Sequence, residues 1–195
     1  MKRWLLLLSV CLLTTLTATA SVEHSVSFTA AQLAEWSADL DGNNANEPYT
    51  KIDMPNAPLM ANPGEPLLPH RPVTLLLPQN EVIESVVVTM TGWNELPGKH
   101  VVAPGQHSYP LSRPDEKVFA APDQVIYSAS TPYPVDTYSA PRVFWCKGYQ
   151  LVTLNLFPVR YTPSSGKLEK APRATLQINT VPADTTMDRV RCRGL

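Results

Sequence analysis

Glycine and cysteine are the scarce residues of this chain, with 8 and 3 among 195. Glycine falls below its usual share of about 7%, and nowhere does it gather into a phosphate-cradling loop or a dinucleotide fingerprint. The H-E-x-x-H, C-x-x-C and G-x-S-x-G patterns are missing too, so the local signatures of zinc hydrolases, dithiol oxidoreductases and serine hydrolases are all absent. His24, His70, His100 and His107 lie too far apart in sequence to mark a local metal site. No cofactor is expected. Charge is sparse at 17% of residues, with a formal net charge of −1, which gives no electrostatic reason to expect nucleic acid as a partner. Beyond the first twenty residues no apolar run reaches the ~20 residues of a membrane-spanning helix, so no membrane partner is expected for the rest of the chain.

Proline is abundant. Twenty prolines are roughly twice the usual share of about 5%, which argues against long helices, while 44% hydrophobic residues suffice for one core. The start of the chain is a clear local signal. Met1-Lys2-Arg3-Trp4 is basic, residues 5–16 are apolar, and Ala18-Thr19-Ala20 is a small-residue cleavage pattern. These features predict a secretory signal peptide over residues 1–20, cleaved before Ser21, with Ala18 and Ala20 as the residues the peptidase reads. A membrane anchor is the competing reading, but Ser9, Thr14 and Thr15 interrupt the apolar stretch and it is short of a bilayer's thickness. The mature chain is therefore expected to be exported, to the periplasm or beyond. Losing Lys2 and Arg3 leaves 14 basic against 17 acidic residues, a net charge of −3.

Cys11 departs with that leader. Cys146, beside Phe144 and Trp145, reads as a buried structural thiol and Cys192, in a basic tail, as a loose one, although an oxidising compartment would permit them to pair. Neither has a base in a recognisable catalytic pattern, so no catalytic residue is assigned. The acidic pairs Asp39/Asp41 and Asp115/Glu116 lack the alternating ligands and central glycine of a calcium loop and read as solvated turns.

One domain is expected over residues 21–182, followed by a basic, flexible tail over 183–195. Residues 23–28 alternate as a strand does, and the segment entered at Ala30 presents Leu33, Trp36 and Leu40 on one narrow face, the pattern of a short N-terminal helix capped by Thr29. Six prolines between Pro55 and Pro72 exclude a helix interior and a central strand there and predict an extended connector. Residues 73–77 and 82–90 are rich in β-branched and aliphatic residues and read as a hairpin or two neighbouring strands. Residues 142–161 form a longer β block in which Val152, Leu154 and Leu156 share one face, with Pro158 demanding an edge or a bulge. A turn at Thr162-Pro163-Ser164-Ser165-Gly166-Lys167 and a second alternating run at 174–180 predict an antiparallel pair with that block. Several short strands between turns mean a mostly β protein, a sandwich or a barrel.

Residues 98–141 carry seven prolines from Pro104 to Pro141 and must be mainly loop. Irregular stretches of this length are more often functional than incidental, and this one holds an isolated Arg113 between Ser112 and Pro114. By itself Arg113 reads as a solvated surface charge. Trp93, Tyr109, Tyr127, Tyr133, Tyr138 and Trp145 leave a second class of function open, a carbohydrate- or protein-binding face, if they are exposed.

Gly64-Glu65-Pro66-Leu67-Leu68-Pro69, then Val73-Thr74-Leu75-Leu76-Leu77-Pro78, then Lys147-Gly148-Tyr149-Gln150-Leu151-Val152, and finally Phe157-Pro158-Val159-Arg160-Tyr161-Thr162-Pro163 with Gly166-Lys167-Leu168 resemble the N-terminal propeptide of gingipain-type cysteine proteases. The likeness runs over nearly the whole mature chain, and its short motifs gain specificity from their order. One departure is the lysine before Gly148, where the family more often has arginine. The resemblance implies a non-catalytic β-sandwich prodomain, of jelly-roll or immunoglobulin-like kind, whose partner is a gingipain-like cysteine protease catalytic domain, which it would bind, inhibit and help to fold. It also implies an inhibitory loop presenting a basic residue to an acidic pocket of the enzyme, and Leu111-Ser112-Arg113 falls where that loop would lie. Arg113 is then the anchor, with Lys117 or Lys99 taking its place if the alignment shifts. The caspase-like catalytic domain of the family has no counterpart in these 195 residues. The chain therefore reads as a stand-alone prodomain-like protein or as the front of an interrupted precursor, and the arginine-rich stretch over residues 189–195 favours neither.

Overall fold

The sequence's period-two blocks become thirteen short strands in the computed structural model, which describes residues 20–36, 49–110, 112 and 118–183. In chain order they are β1 (Ala20–Ser27), β2 (Gln32–Trp36), β3 (Tyr49–Asp53), β4 (Leu59–Met60), β5 (Leu68–Pro69), β6 (Arg71–Leu76), β7 (Glu81–Thr91), β8 (Asn94–Leu96), β9 (Arg142–Cys146), β10 (Tyr149–Leu156), β11 (Val159–Thr162), β12 (Lys167–Lys170) and β13 (Arg173–Pro182). They pair antiparallel, in the orders β1-β13-β7, β6-β10-β9 and β11-β12-β8, with two-stranded pairs β2-β3 and β4-β5.

The first two sheets are the layers of the sandwich. Val152, Leu154 and Leu156 of β10 and Val73 of β6 meet Val26 of β1 and Ala174, Leu176 and Ile178 of β13 in one buried cluster. A second cluster, with Ile52, Leu68, Val102, Val159, Tyr161 and Leu168 among its members, fills the other end of the molecule, and Phe28 packs against both. The prolines obey their chemistry. Pro72 lies in β6, an edge strand of its sheet, where a missing amide donor costs no ladder bond.

Several expectations need correction. Residues 32–36 are a strand, not a helix, paired with β3 from Gln32↔Asp53 to Trp36↔Tyr49. A face defined by so few apolar residues fits either period, and the ladder offered by β3 decides it. The segments over 73–77 and 82–90 are not neighbours: β6 pairs with β10 and β7 with β13, in opposite layers. Likewise residues 142–161 are three strands, and β13 pairs with β7 and β1 rather than with β10, facing it across the core. Alternation identifies the buried side of a strand, but a strand alongside and a strand facing it satisfy that side equally well. The expected turn at residues 162–167 is present, as a 3-10 turn over Pro163–Ser165 closed by Gly166 at φ 67°, between β11 and β12. Cys146 is exposed, contrary to the buried thiol expected, because its apolar run is the edge strand β9, which ends at a turn through Lys147 and Gly148.

Candidate functional site

Among its described residues the long proline-rich stretch is irregular as expected, apart from isolated bridges and one helical turn, α1 (Gln124–Tyr127), capped by the Asp123 carboxylate. Its base is tied by a knot of backbone. Gly64 donates to the Gly105 carbonyl at 2.9 Å, Gly105 to Glu65 at 2.7 Å, Leu67 to Ala103 at 2.8 Å and Asp123 to Gly64 at 2.9 Å. Three chain segments meet so closely that side chains have no room. A Cβ on Gly105 would stand 2.4 Å from the Asn62 carbonyl oxygen, and Gly64, at φ 87°, would bring one to 3.0 Å from Ala121 O.

Above this knot the side chain of Gln106 imitates a peptide group. Its Oε1 accepts from the Ala120 amide at 3.0 Å, while its Nε2 donates to the Ala120 carbonyl at 3.1 Å and to the Pro104 carbonyl at 3.1 Å. Residues 106 and 120 are thereby clamped together, and Arg113 stands midway between them in sequence. Ser112 is exposed, and so is Lys99, which belongs to the neighbouring turn beside Gly166 rather than to the clamped loop. Arg113, Pro114 and Lys117 lie outside the described residues, as do Ala18, Cys192 and both acidic pairs, Asp39/Asp41 and Asp115/Glu116. Ala20 and Ser21 open β1, opposite Thr180 and Asn179.

Glu65 couples the knot to the rest of the molecule. One carboxylate oxygen accepts from the Asn62 amide at 3.1 Å, from Asn62 Nδ2 at 3.0 Å and from the Tyr133 hydroxyl at 2.9 Å. Partial burial works against its charge, but the hydrogen bonds from Asn62 and Tyr133 outweigh that and hold the carboxyl below the usual 4.5. Burial, helped by the bond to Glu65, pushes the Tyr133 hydroxyl up and keeps it a donor. The sign follows from linkage: a depressed folded pKa stabilises fully above the unfolded value and loses that contribution as pH falls through the folded one. The thermal midpoint of the wild type should therefore exceed that of Glu65→Gln above pH 4.5, and the gap should close in more acid solution. Equal gaps at pH 3 and pH 6 would show that the charge plays no part.

Other candidates are structural. His100 Nε2 lies 3.0 Å from the Pro97 carbonyl and so carries the proton, leaving Nδ1 for the Thr50 hydroxyl at 3.3 Å. The six aromatic residues that would have formed a binding face are all at least partly buried. Tyr127 and Tyr138 donate to the carbonyls of Val102 and Val86, and Trp93 lies under the Arg160 guanidinium at 4.2 Å. Two hollows of about 260 and 150 Å³ share Pro134 and Phe157. Among the described residues no group of three His, Cys, Asp or Glu could hold a metal ion.

Gln106 and Gly105 have no role that the sequence alone reveals, Tyr133 is legible only as one of several aromatics, and Gly64 and Glu65 only as part of a motif. The available signal is two of the eight glycines, each next to a residue that the knot uses.

Comparison with known proteins agrees with this architecture. The Propeptide_C25 family model matches residues 13–191. No curated protein sequence matches the chain. Among solved structures, a complex of the pro- and mature domains of RgpB from Porphyromonas gingivalis is similar with a TM-score of 0.65 at 11% identity, covering 86% of this chain and 85% of that one. A structure concerned with the zymogenic latency of gingipain K from the same organism is similar with a TM-score of 0.63 at 17% identity, covering 88% of this chain and 97% of that one.

Proposed function

The chain belongs to the Propeptide_C25 family, and from that premise we propose that it is an exported, non-catalytic prodomain that binds a gingipain-like cysteine endopeptidase and holds it inactive. Residues 1–20 direct export and are removed before Ser21. Catalysis belongs to the partner, whose folding the domain also assists. The inhibitory element is the loop closed by Gln106 and Ala120, with Arg113 as its anchor.

The loop clamp is the observation that carries this reading. A segment whose ends are already held loses less conformational freedom when it docks, so a pre-closed loop suits an inhibitor better than a free strand does. A guanidinium entering a carboxylate-lined pocket gains charge-assisted, bidentate hydrogen bonds. Pro114 follows directly, and its missing amide and fixed φ leave the Arg113–Pro114 bond poorly placed for cleavage. Arg113 then occupies the site as a substrate does while being cut slowly.

The test is inhibition of an arginine-specific gingipain-type protease by the mature chain, with Arg113→Ala at matched concentrations. The expected result is tight inhibition by the wild type and at least a tenfold loss in the variant, on the order of 1.4 kcal/mol. Inhibition that is unchanged by the substitution would remove Arg113 from this role. A folded wild type that inhibits neither arginine- nor lysine-specific enzymes would remove the inhibitory role itself.

A further inference from the structure

The outer face of the β6-β10-β9 sheet carries an exposed apolar row at one end. Val152, Leu154 and Leu156 of β10 point into the sandwich core, so Leu151 points the other way. The ladders set Leu151 opposite Leu76 of β6 and Phe144 of β9, and the three form one row across the sheet. Leu76 is 54% exposed and Phe144 41%. Beside the row Tyr149, also exposed, stands opposite Cys146, whose thiol is free and exposed. Single exposed apolar residues are ordinary, but an adjoining set of this kind marks a contact surface.

Ala183, the last described residue, lies at the same end of this sheet. Antiparallel pairing brings together the end of β6, the start of β10 and the end of β9. Leu77 continues β6 with an amide bond to the Gln150 carbonyl at 2.9 Å, and Ala183 donates to the Asn80 carbonyl at 2.7 Å in the connection from β6 to β7. The residues after Ala183 therefore set out close to Leu76. Cys192 is nine residues further on, a reach of up to about 30 Å when extended. Asn80 is four residues from Leu76, at most about 13 Å, and β6 to β9 is two strand spacings, roughly 10 Å. Cys146 falls within that reach.

We propose that residues 184–192 cross the outer face of this sheet and that Cys192 forms a disulfide with Cys146, closing the segment over Leu76, Leu151 and Phe144. In an extended segment Val190 shares a side with Cys192, so it comes down on the same row. The bond forms by exchange with a disulfide oxidant. The two thiols give up two protons and two electrons, the Sγ–Sγ bond forms, and the oxidant's own disulfide is reduced to two thiols. Oxidants of this class act outside the cytoplasm, so the inference rests on the export proposed above. Once Cys11 has left with the leader, Cys146 and Cys192 are the two cysteines that remain.

The full-length chain, expressed with its own leader and recovered from the exported fraction, provides the test. One sample is alkylated with iodoacetamide without reduction, and a second is first equilibrated with oxidised and reduced glutathione. Peptide mapping should find Cys146 joined to Cys192, within a monomer, in both. Two free thiols after equilibration, or a dimer joined through Cys146, would overturn the pairing. An uncleaved N-terminus and free thiols in the first sample, with the linked peptide in the second, would sustain the pairing and remove the export reading instead. The bond joins residues 46 apart in the unfolded chain, but in the folded one it closes only a nine-residue segment. Cys192→Ser should therefore lower the unfolding midpoint by about 3–5 °C. It should also raise the binding of anilinonaphthalene sulfonate, because the apolar row is uncovered. A linked wild type that binds the dye as strongly as the variant would overturn the covering of the row.

Discussion

Replacing Gly105 by alanine should lower the unfolding midpoint of the chain by about 10 °C and weaken the protease inhibition proposed above as well. The added Cβ would sit 2.4 Å from a backbone oxygen, that of Asn62, and 2.8 Å from the Ala61 Cβ. Neither neighbour is the end of a flexible side chain, so the backbone itself must separate. Overpacking of this kind costs about 1–3 kcal/mol. The hydrogen bonds that Gly105 exchanges with Gly64 and Glu65 would stretch or break, at about 1 kcal/mol each. A total of roughly 3–5 kcal/mol corresponds to about 10 °C in a chain of this size. Gly148→Ala is the matched control. Gly148 has φ 86°, but a methyl group there would meet nothing within 4 Å, so the substitution costs only backbone strain of about 1 kcal/mol. Calorimetry of both variants, with inhibition measured at a temperature where each is folded, separates the two costs. A Gly105→Ala protein as stable as Gly148→Ala would mean that the three segments at the loop base do not approach as closely as described.

What can be seen in the sequence is whatever depends on near neighbours. A period of two assigns Val152, Leu154 and Leu156 to one face, and all three are buried. The turn before Lys167 is legible because Gly166 adopts the left-handed conformation that glycine favours. Partnerships are not legible. β13 carries the same alternation whether it lies beside β10 or opposite it, and only the positions of β1 and β7 settle which. Cys146 misleads for a related reason: an apolar edge strand and an apolar core strand have the same composition, and exposure depends on how many neighbours the strand acquires. The Propeptide_C25 likeness is readable because its motifs are the tight places of the fold, with Gly64 and Glu65 in the knot and Tyr161 in the second core cluster. The clamp is hidden. Gln106 reaches Ala120 across an intervening loop by using a side-chain amide as a peptide group, and no local pattern announces that contact.

Tyr161→Ala is expected to be the most damaging single truncation in the second core cluster, at about 3–5 kcal/mol. The residue is 1% exposed and stands at a junction of three elements. Its backbone exchanges hydrogen bonds with Tyr133 at 2.7 and 2.8 Å, its ring meets that of Tyr127 edge-on at 6.2 Å, and its hydroxyl donates to the His100 carbonyl at 3.1 Å. Burial pushes the hydroxyl's pKa up, so it remains a donor at neutral pH. Removing the ring empties the space between β11 and α1, and Tyr127 then loses the neighbour that helps hold its own hydroxyl on Val102. Tyr161→Phe keeps the ring and forfeits one hydrogen bond, which should cost about 1 kcal/mol. The two variants therefore divide packing from hydrogen bonding. Denaturant unfolding should rank them with alanine well below phenylalanine and phenylalanine slightly below wild type. If phenylalanine proved as damaging as alanine, the hydroxyl bond to His100 rather than the ring would hold this end of the molecule. The damage should also reach the loop, because Val102, which Tyr127 holds, lies one residue before Ala103 in the strand of contacts that anchors Gly105 and Gln106. The proposed inhibition should accordingly fall for Tyr161→Ala at temperatures where the sandwich core, built on Leu154, Leu176 and Ile178, is still folded.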